Sequence, residues 1–320
     1  MRALLFVNLH KKKAASMSEE IRLELEKRGV AVTVFPFEGK PACFPEGKWD
    51  IAFSLGGDGT VLYAARTLAG AGVPILAVNL GTLGFIACVD SDRWLAVFDQ
   101  WTHGTVLLSR RCMFEITLER RRELIMKNCC LNDAVISAAG IAKLIKLDVH
   151  SETSSGEYTE LGFYRCDGLI IATPTGSTAY SMAAGGPILD PEMEALLLTP
   201  ICPFTLSNRP MVLPSRQALL VTVGEEQRSG VLLTVDGQDT FDLEPGDRII
   251  VRQAPWQALL VSAERRSYYS ALRTKLSWSG AVNGDNVSAN SCGAAAGGGF
   301  ASRGGVAPHG GVAPQGGSDA

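Results

Sequence analysis

Over its first hundred residues the chain alternates short apolar runs with segments of helical spacing. Residues 3–7 are continuously apolar, and residues 30–35, 51–55 and 75–78 repeat the pattern. Such runs fit strands buried on both faces. Ser16 and Glu19 stand at capping-box spacing ahead of Ile21, Leu23 and Leu25, and Gly29 marks a helix stop. Residues 61–68 read as a second helix. This alternation predicts a parallel sheet between helices, whose ligands bind at the carboxyl ends of the strands.

The pattern changes near Gly104. Residues 105–108, 113–118, 124–127, 134–137, 144–149 and 169–172 are short β-like segments, and 218–223, 231–235, 248–252 and 258–261 continue the series. Helical periodicity nearly vanishes, which predicts an all-β sandwich. Leu243-Glu244-Pro245-Gly246-Asp247 is a turn between two of these strands. The expected organisation is an α/β domain over 1–104, a β-sandwich over 105–265 and a segment, 266–278, returning to the first domain. From 279 to 320 the chain is mostly Gly, Ala, Ser and Asn, and the block from Gly304 to Pro308 recurs from Gly310 to Pro314. Such a Gly/Ala-rich tail cannot bury enough apolar surface to order itself and is predicted to be disordered. Asn286-Val287-Ser288 within it matches a glycosylation sequon, read as a chance match without a secretory signal.

An apolar fraction of 46% supports real cores, and a net charge of −3 gives no electrostatic case for nucleic acid or an anionic membrane. The eight cysteines show no Cys-x-x-Cys spacing, so neither a zinc site nor a disulfide framework is expected. Scattered thiols fit a reducing, cytoplasmic setting. No stretch approaches the roughly 18 apolar residues of a membrane span. The four histidines lie outside every motif described below, which argues against a His-based triad or metal cluster.

The candidate chemistry sits in turns. Gly56-Gly57-Asp58-Gly59-Thr60 follows an apolar strand and precedes a predicted helix starting at Thr60-Val61. Glycines admit positive φ and close approach, a helix start offers free N–H groups to an anion, and the aspartate has no evident packing reason. The arrangement suggests a phosphate cradle with a base beside it. It is neither a Walker A loop nor a Gly-x-Gly-x-x-Gly fingerprint. Residues 79–85 form a second glycine-rich turn after the next strand. Lys11-Lys12-Lys13, directly after the first strand, read as a solvated loop end or as phosphate contacts. Asn132-Asp133 offers donors and acceptors for ribose hydroxyls or a base edge, against the alternative of a strand-end turn. Thr173-Pro174-Thr175-Gly176-Ser177-Thr178-Ala179-Tyr180 follows an apolar run, and small hydroxyls with one aromatic suit an adenine or phosphate pocket. Asp236-Gly237-Gln238 reads by itself as a hairpin turn.

In this order the motifs resemble the NAD kinase family, which phosphorylates the 2′-hydroxyl of the adenosine ribose of NAD. Asp167-Gly168 and Gly185-Gly186-Pro187 belong to the same match, which runs from about residue 3 to 278. The resemblance implies a Rossmann-like N-terminal domain and a β-sandwich C-terminal domain with the active site between them. It implies ATP as donor, Mg²⁺ or another divalent ion, and a dimer or tetramer of the chain. By this likeness Asp58 accepts the hydroxyl proton, and Gly56, Gly57, Gly59 and Thr60 hold the donor's phosphates. The NAD site takes Asp58, Gly59, Asn132, Asp133, Asp167, Thr178, Ala179, Tyr180, Ser181, Met182, Ala183 and Gln238. Lys143 and Arg165 stand where the family carries substrate-contacting residues. The chain departs from the pattern at Asp133, commonly Glu, and at Phe204, commonly His. Rival readings are a lipid kinase of the wider superfamily and a non-catalytic NAD(P)-binding sensor.

Overall fold

The computed structural model describes residues 1–39, 44–81, 84–87, 89–140, 143–153, 155–262 and 266–276. The expected disordered tail, the sequon, and Cys43, Cys88 and Cys292 lie outside them. Strands β1 (Arg2–Asn8), β2 (Ala31–Phe37), β3 (Ile51–Gly56) and β4 (Ile75–Asn79) are parallel, with β1 between β2 and β3, and β4 beyond β3. The two-residue β5 (Val89–Asp90) adds to β4. Helix α1 is Ala14–Lys27, α2 is Asp58–Thr67 and α3 is Trp94–Thr102. In β1, Leu4 and Phe6 enter a core with Val61, Ala64 and Ala65 of α2, whereas Ala3, Leu5 and Val7 face Ile21 and Leu25 of α1 and Trp94 and Phe98 of α3. Burial on both faces is why the strand reads as one apolar run.

Two helix starts differ from expectation. Helix α1 begins at Ala14 with Lys13 as N-cap; Ser16 Oγ donates to Lys13 O at 3.1 Å and Glu19 pairs with Arg22, so the capping box is not formed. Helix α2 begins at Asp58 rather than at Thr60-Val61, with Gly57 as N-cap. The sequence reading also missed α3, although Trp94, Val97, Phe98 and Trp101 stand at helical spacing and pack inward together.

In the second half, β6 (Leu107–Arg120), β7 (Glu123–Cys130), β9 (Ile145–Glu152), β10 (Tyr158–Cys166), β14 (Leu219–Val223) and β17 (Arg248–Ser262) share one sheet. A second, antiparallel sheet runs β13-β12-β11-β8-β15-β16. Its strands are β8 (Asp133–Ala138), β11 (Gly168–Ala172), β12 (Ala195–Ile201), β13 (Met211–Pro214), β15 (Val231–Val235) and β16 (Asp239–Leu243). Phe114, Leu147, Val221 and Ile249 of the first sheet meet Ile136, Leu169, Leu198 and Leu233 of the second in one core, which makes the sandwich. Short helix α4 (Tyr180–Ala183) follows β11, and α5 (Arg266–Leu276) follows β17.

Strand β17 does two jobs. Leu219 to Thr222 of β14 pair with its first half, and Leu260 pairs in parallel with Ile75 of β4. The parallel sheet and one sandwich layer are therefore a single sheet of eleven strands. A register shift between Gln253 and Gln257 bulges the strand midway, which explains why the sequence reads as two separate segments there.

Candidate active site

Strand β3 delivers the chain to Gly56 and α2 carries it away from Asp58. None of Gly56, Gly57 or Gly59 has positive φ, so their role is space rather than dihedral freedom. A Cβ on Gly56 would meet Thr60 Oγ1 at 2.1 Å, while Gly57 and Gly59 face open space. The helix start is thus uncovered, and Asn8 Nδ2 donates to Thr60 Oγ1 beside it at 3.2 Å. The carboxylate of Asp58 accepts the backbone N–H groups of Phe85 (2.9 Å), Ile86 (3.1 Å) and Ala87 (2.9 Å). A Cβ on Gly84 would lie 1.9 Å from Asp58 Oδ1. The expectation that Asp58 lacks a packing reason is therefore corrected: it clamps the second glycine-rich turn. A carboxylate offers about four acceptor positions, so Oδ2, which takes only the Phe85 N–H, keeps room for one more donor. Lys11 Nζ stands 3.8 Å from where a Gly81 Cβ would be, so of the three lysines this one reaches the turn. Thr82 and Leu83 of the turn are outside the described residues.

A second clamp lies where β7 passes to β8. Asp236, at φ +51°, accepts the N–H groups of Leu131 (2.9 Å), Asn132 (2.7 Å) and Asp133 (3.1 Å). It is more than the hairpin turn the sequence suggested, because its carboxylate ties the β15–β16 turn to the start of β8. Arg66 of α2 stands 3.9 Å from it and donates to Cys129 O, Gln238 Oε1, Asn128 Oδ1 and Asp239. Gln238 Nε2 then donates to Gly59 O at 2.9 Å. Gly59, Gln238, Asn132 and Asp133 are thereby joined through one polar network, which ends at the residue next to Asp58. Arg66 was not singled out, since a lone arginine in an apolar helix carries no distinguishing sequence signal, and Asp236 was read only as part of a hairpin turn.

Asp133 is 5% exposed, and its carboxyl is pushed up to about 7 by burial and then by the charge of Asp236. Burial also raises Asp236, against the pull of its three N–H donors and of Arg66. Two buried acids side by side resist ionising together.

The hydroxyl-rich loop splits into braces and open groups. Thr173 Oγ1 donates to Leu131 O at 2.5 Å, Ser177 Oγ to Pro174 O at 2.7 Å and Thr178 Oγ1 to Thr175 O at 3.3 Å. Ser181 shares a hydrogen bond with Thr199 at 2.9 Å. These hydroxyls hold the loop together. Gly176 is pressed so tightly on the neighbouring strand start that a Cβ would sit 2.1 Å from Asn132 O. In contrast, the buried Asn132 Oδ1 and Thr175 Oγ1 have no hydrogen-bond partner. An unmet buried polar atom costs about 1–3 kcal/mol, so two at one junction point to a polar ligand. Tyr180 is exposed, and Ala179, Met182 and Ala183 are less than fully buried around it.

Lys143, Arg165 and Asp167 are elsewhere. Asp167 precedes β11 whereas the hydroxyl loop follows it, roughly 16 Å away along five strand residues. Arg165 lies over the ring of Phe204 at 4.6 Å, and both are exposed. Lys143 is exposed after a pair of undescribed residues. The chain thus brings Asp58, Gly59, Asn132, Asp133 and Gln238 together and leaves these three apart.

A cavity of about 500 Å³ opens beside Gly59, with Asn8, Phe37, Tyr63, Arg66 and Gln238 in its wall. His10 lines it too, accepting from Gly39 N at 3.1 Å, although no histidine was expected near a motif. Among the described residues no group of three or more His, Cys, Asp or Glu side chains is placed to hold a metal ion, so these residues do not by themselves fit a resident one.

This is an α/β–β-sandwich protein with a nucleotide-sized cleft at a glycine-rich helix start. The sequence profile of the ATP-NAD kinase N-terminal domain matches residues 37–106, and that of the ATP-NAD kinase C-terminal domain matches residues 131–263. The chain is 39% identical over 281 residues to the NAD kinase of Treponema denticola, covering 87% of this chain and 97% of that protein. It is 43% identical over 282 residues to the NAD kinase of Symbiobacterium thermophilum, covering 85% and 98%. Among solved structures, yeast NADH kinase complexed with NADH superposes with a TM-score of 0.76 at 25% identity, over 88% of this chain and 89% of that one. An NAD kinase from Archaeoglobus fulgidus in complex with ATP shares the fold, with a TM-score of 0.67 at 24% identity over 86% and 99%. The chain belongs to the ATP-NAD kinase family.

Proposed function

We propose that the chain transfers the terminal phosphoryl group of ATP to the 2′-hydroxyl of the adenosine ribose of NAD, giving NADP. The ribose oxygen forms a new bond to the γ-phosphorus as the bond from that phosphorus to the departing ADP breaks. The hydroxyl proton passes to Asp58. Phosphoryl transfer needs positioning and charge stabilisation more than covalent help, and a clamped carboxylate at a helix start supplies the first. The open N–H groups at Gly57 and Gly59, beside the packed Gly56, suit the donor's phosphates, and Lys11 stands at the neighbouring Gly81 turn; the Thr60 N–H is already given to Gly57 O at 2.9 Å. The divalent ion would arrive on those phosphates, since magnesium commonly binds through substrate phosphates, water and one or two carboxylates.

The observation that carries this reading is the orphaned Asn132 Oδ1, buried next to Thr175 and connected to the Asp58 helix through Asp236, Arg66 and Gln238. It is an acceptor waiting for a donor such as an adenine amine or a ribose hydroxyl. Asp133, Gln238 and the stretch from Thr178 to Ala183 would complete the NAD site. Lys143, Arg165 and Asp167 would contribute within a homo-oligomer, where another copy could bring them to the cleft. The five described cysteines are free thiols, which suits a cytoplasmic enzyme, and among the described residues no helix is long and apolar enough to cross a membrane.

The test is NADP formation from NAD with ATP or polyphosphate, with and without a divalent metal, beside a parallel reaction offering diacylglycerol. NADP is expected with ATP and metal. Bound NAD with no NADP from either donor, or phosphorylated diacylglycerol instead, would overturn the proposal.

A further inference from the structure

The seam where β17 bulges holds a second cavity, of about 750 Å³, separate from the candidate site. Gly70 and Gly72, in the turn after α2, form one wall, and both adopt positive φ. The looped-out residues 254–256 of β17 form another. Three arginines line it from three different elements: Arg110 of β6, Arg216 of the turn before β14, and Arg252 of β17. One is partly neutralised, since Arg252 lies 3.4 Å from Glu152 and donates to Tyr158 Oη at 3.0 Å. Arg110 and Arg216 have no side-chain hydrogen bond or ion pair among the described residues. Trp256 lines the same cavity, and its buried indole Nε1–H has no acceptor.

Arg110, Arg216 and Arg252 are all exposed around this concave space, and two of the three have no paired acid among the described residues, so the cavity presents net positive charge to solvent. The arginine fork matches phosphate oxygens in pairs, which is why such groups bind phosphate so often. The volume falls in the range of small-molecule sites, and only one acid, Glu152, opposes three cations in its lining. We propose that this cavity is a binding site for an oligophosphate anion, distinct from the site at Asp58. The two lie at opposite ends of α2, about 15 Å apart for a ten-residue helix. The proposal does not depend on the NAD kinase reading.

The experiment is calorimetric titration of the full chain with inorganic pyrophosphate in one arm and GDP in the other, on the wild type and on Arg110→Ala/Arg216→Ala. Neither arginine belongs to the NAD or donor site, so the double variant should retain NADP formation, which also verifies its folding. The wild type should show a saturable binding event that weakens at least tenfold in the double variant and with rising salt. Binding in the GDP arm alone assigns the site to nucleotides; binding in both assigns it to the phosphate chain. Equal affinity and stoichiometry in wild type and variant would overturn the proposal. Should the double variant fail to fold, tryptophan fluorescence reports on the wild type and Trp256→Phe: a pyrophosphate-dependent change confined to the wild type supports the site, and the same change, or none, in both refutes it.

Discussion

Asp58 and Asp236 use the same device in two places. Each carboxylate accepts three consecutive backbone N–H groups, those of residues 85–87 in one case and 131–133 in the other. Their surroundings differ. The Asp236 side chain is fully buried, with Arg66 near it and Asp133 beside it, whereas Asp58 is half-buried at an open helix start. The same hydrogen-bond count therefore sits in two settings. A clamp sealed from water can only hold chain segments together, while a clamp open on one side also leaves its carboxylate within reach of solvent.

The largest expected separation comes from Asp58→Asn. The amide keeps one acceptor oxygen, so the fold should lose only about 1 kcal/mol, but it cannot take the ribose proton. Turnover should fall about 10²–10⁴-fold while NAD affinity changes little, as measured by NADP formation beside equilibrium binding. Unchanged turnover per bound NAD would show that Asp58 is only a clamp, like Asp236. Asp236→Ala should do the reverse. It strips three buried N–H groups of their acceptor, so a loss of about 3 kcal/mol is expected. That corresponds to a melting temperature lower by roughly 10 °C for a fold of this size. A shift within about 2 °C would mean that the junction is held by packing instead.

Gly176→Ala probes the contact between the two sides of the orphaned acceptor. Its Cβ would need Asn132 O to move from 2.1 Å, and that oxygen is backbone, already accepting the Thr173 N–H at 2.8 Å. Overpacking of this kind costs about 1–3 kcal/mol. It should raise KM for NAD more than it lowers kcat, because it displaces Asn132 and leaves the Asp58 turn alone. A pure kcat effect would separate Asn132 from NAD.

How much of this was legible in the sequence follows from where the information lies. Apolar runs sandwiched between helices declare themselves, because burial on both faces removes nearly every polar residue, as in β1 and in β3, where Ser54 is the one polar side chain. Strand β10 did not, since its pattern mixes exposed Glu160 and Arg165 with buried Tyr164 and Cys166. Glycine-flanked Asp58 was visible as a motif, but its three N–H partners lie 27 to 29 residues onward and no local rule connects them. Asp236 was misread for the same reason: the turn chemistry is local, while the acceptor role depends on a strand start more than a hundred residues earlier. The hydroxyls of Ser177 and Thr178 looked like ligand groups by composition, and only the fold shows that they also donate to Pro174 O and Thr175 O of their own loop.

The pH dependence of stability tests the contrast between the clamps most directly. Asp133 lies against the sealed clamp, and its carboxyl is raised to about 7 by burial and by the charge of Asp236. A raised acid binds its proton more tightly in the folded chain than in the unfolded one. The stability from neutral Asp133 is therefore complete below about pH 4 and is lost as pH rises towards 7, by at most about 1.4 kcal/mol per pH unit. Asp133→Asn has no proton to lose. The melting temperature of the variant relative to wild type should consequently climb between pH 4 and 7 and level off above it. A flat difference for Asp133→Asn would mean that its carboxylate is solvated or paired in the folded chain.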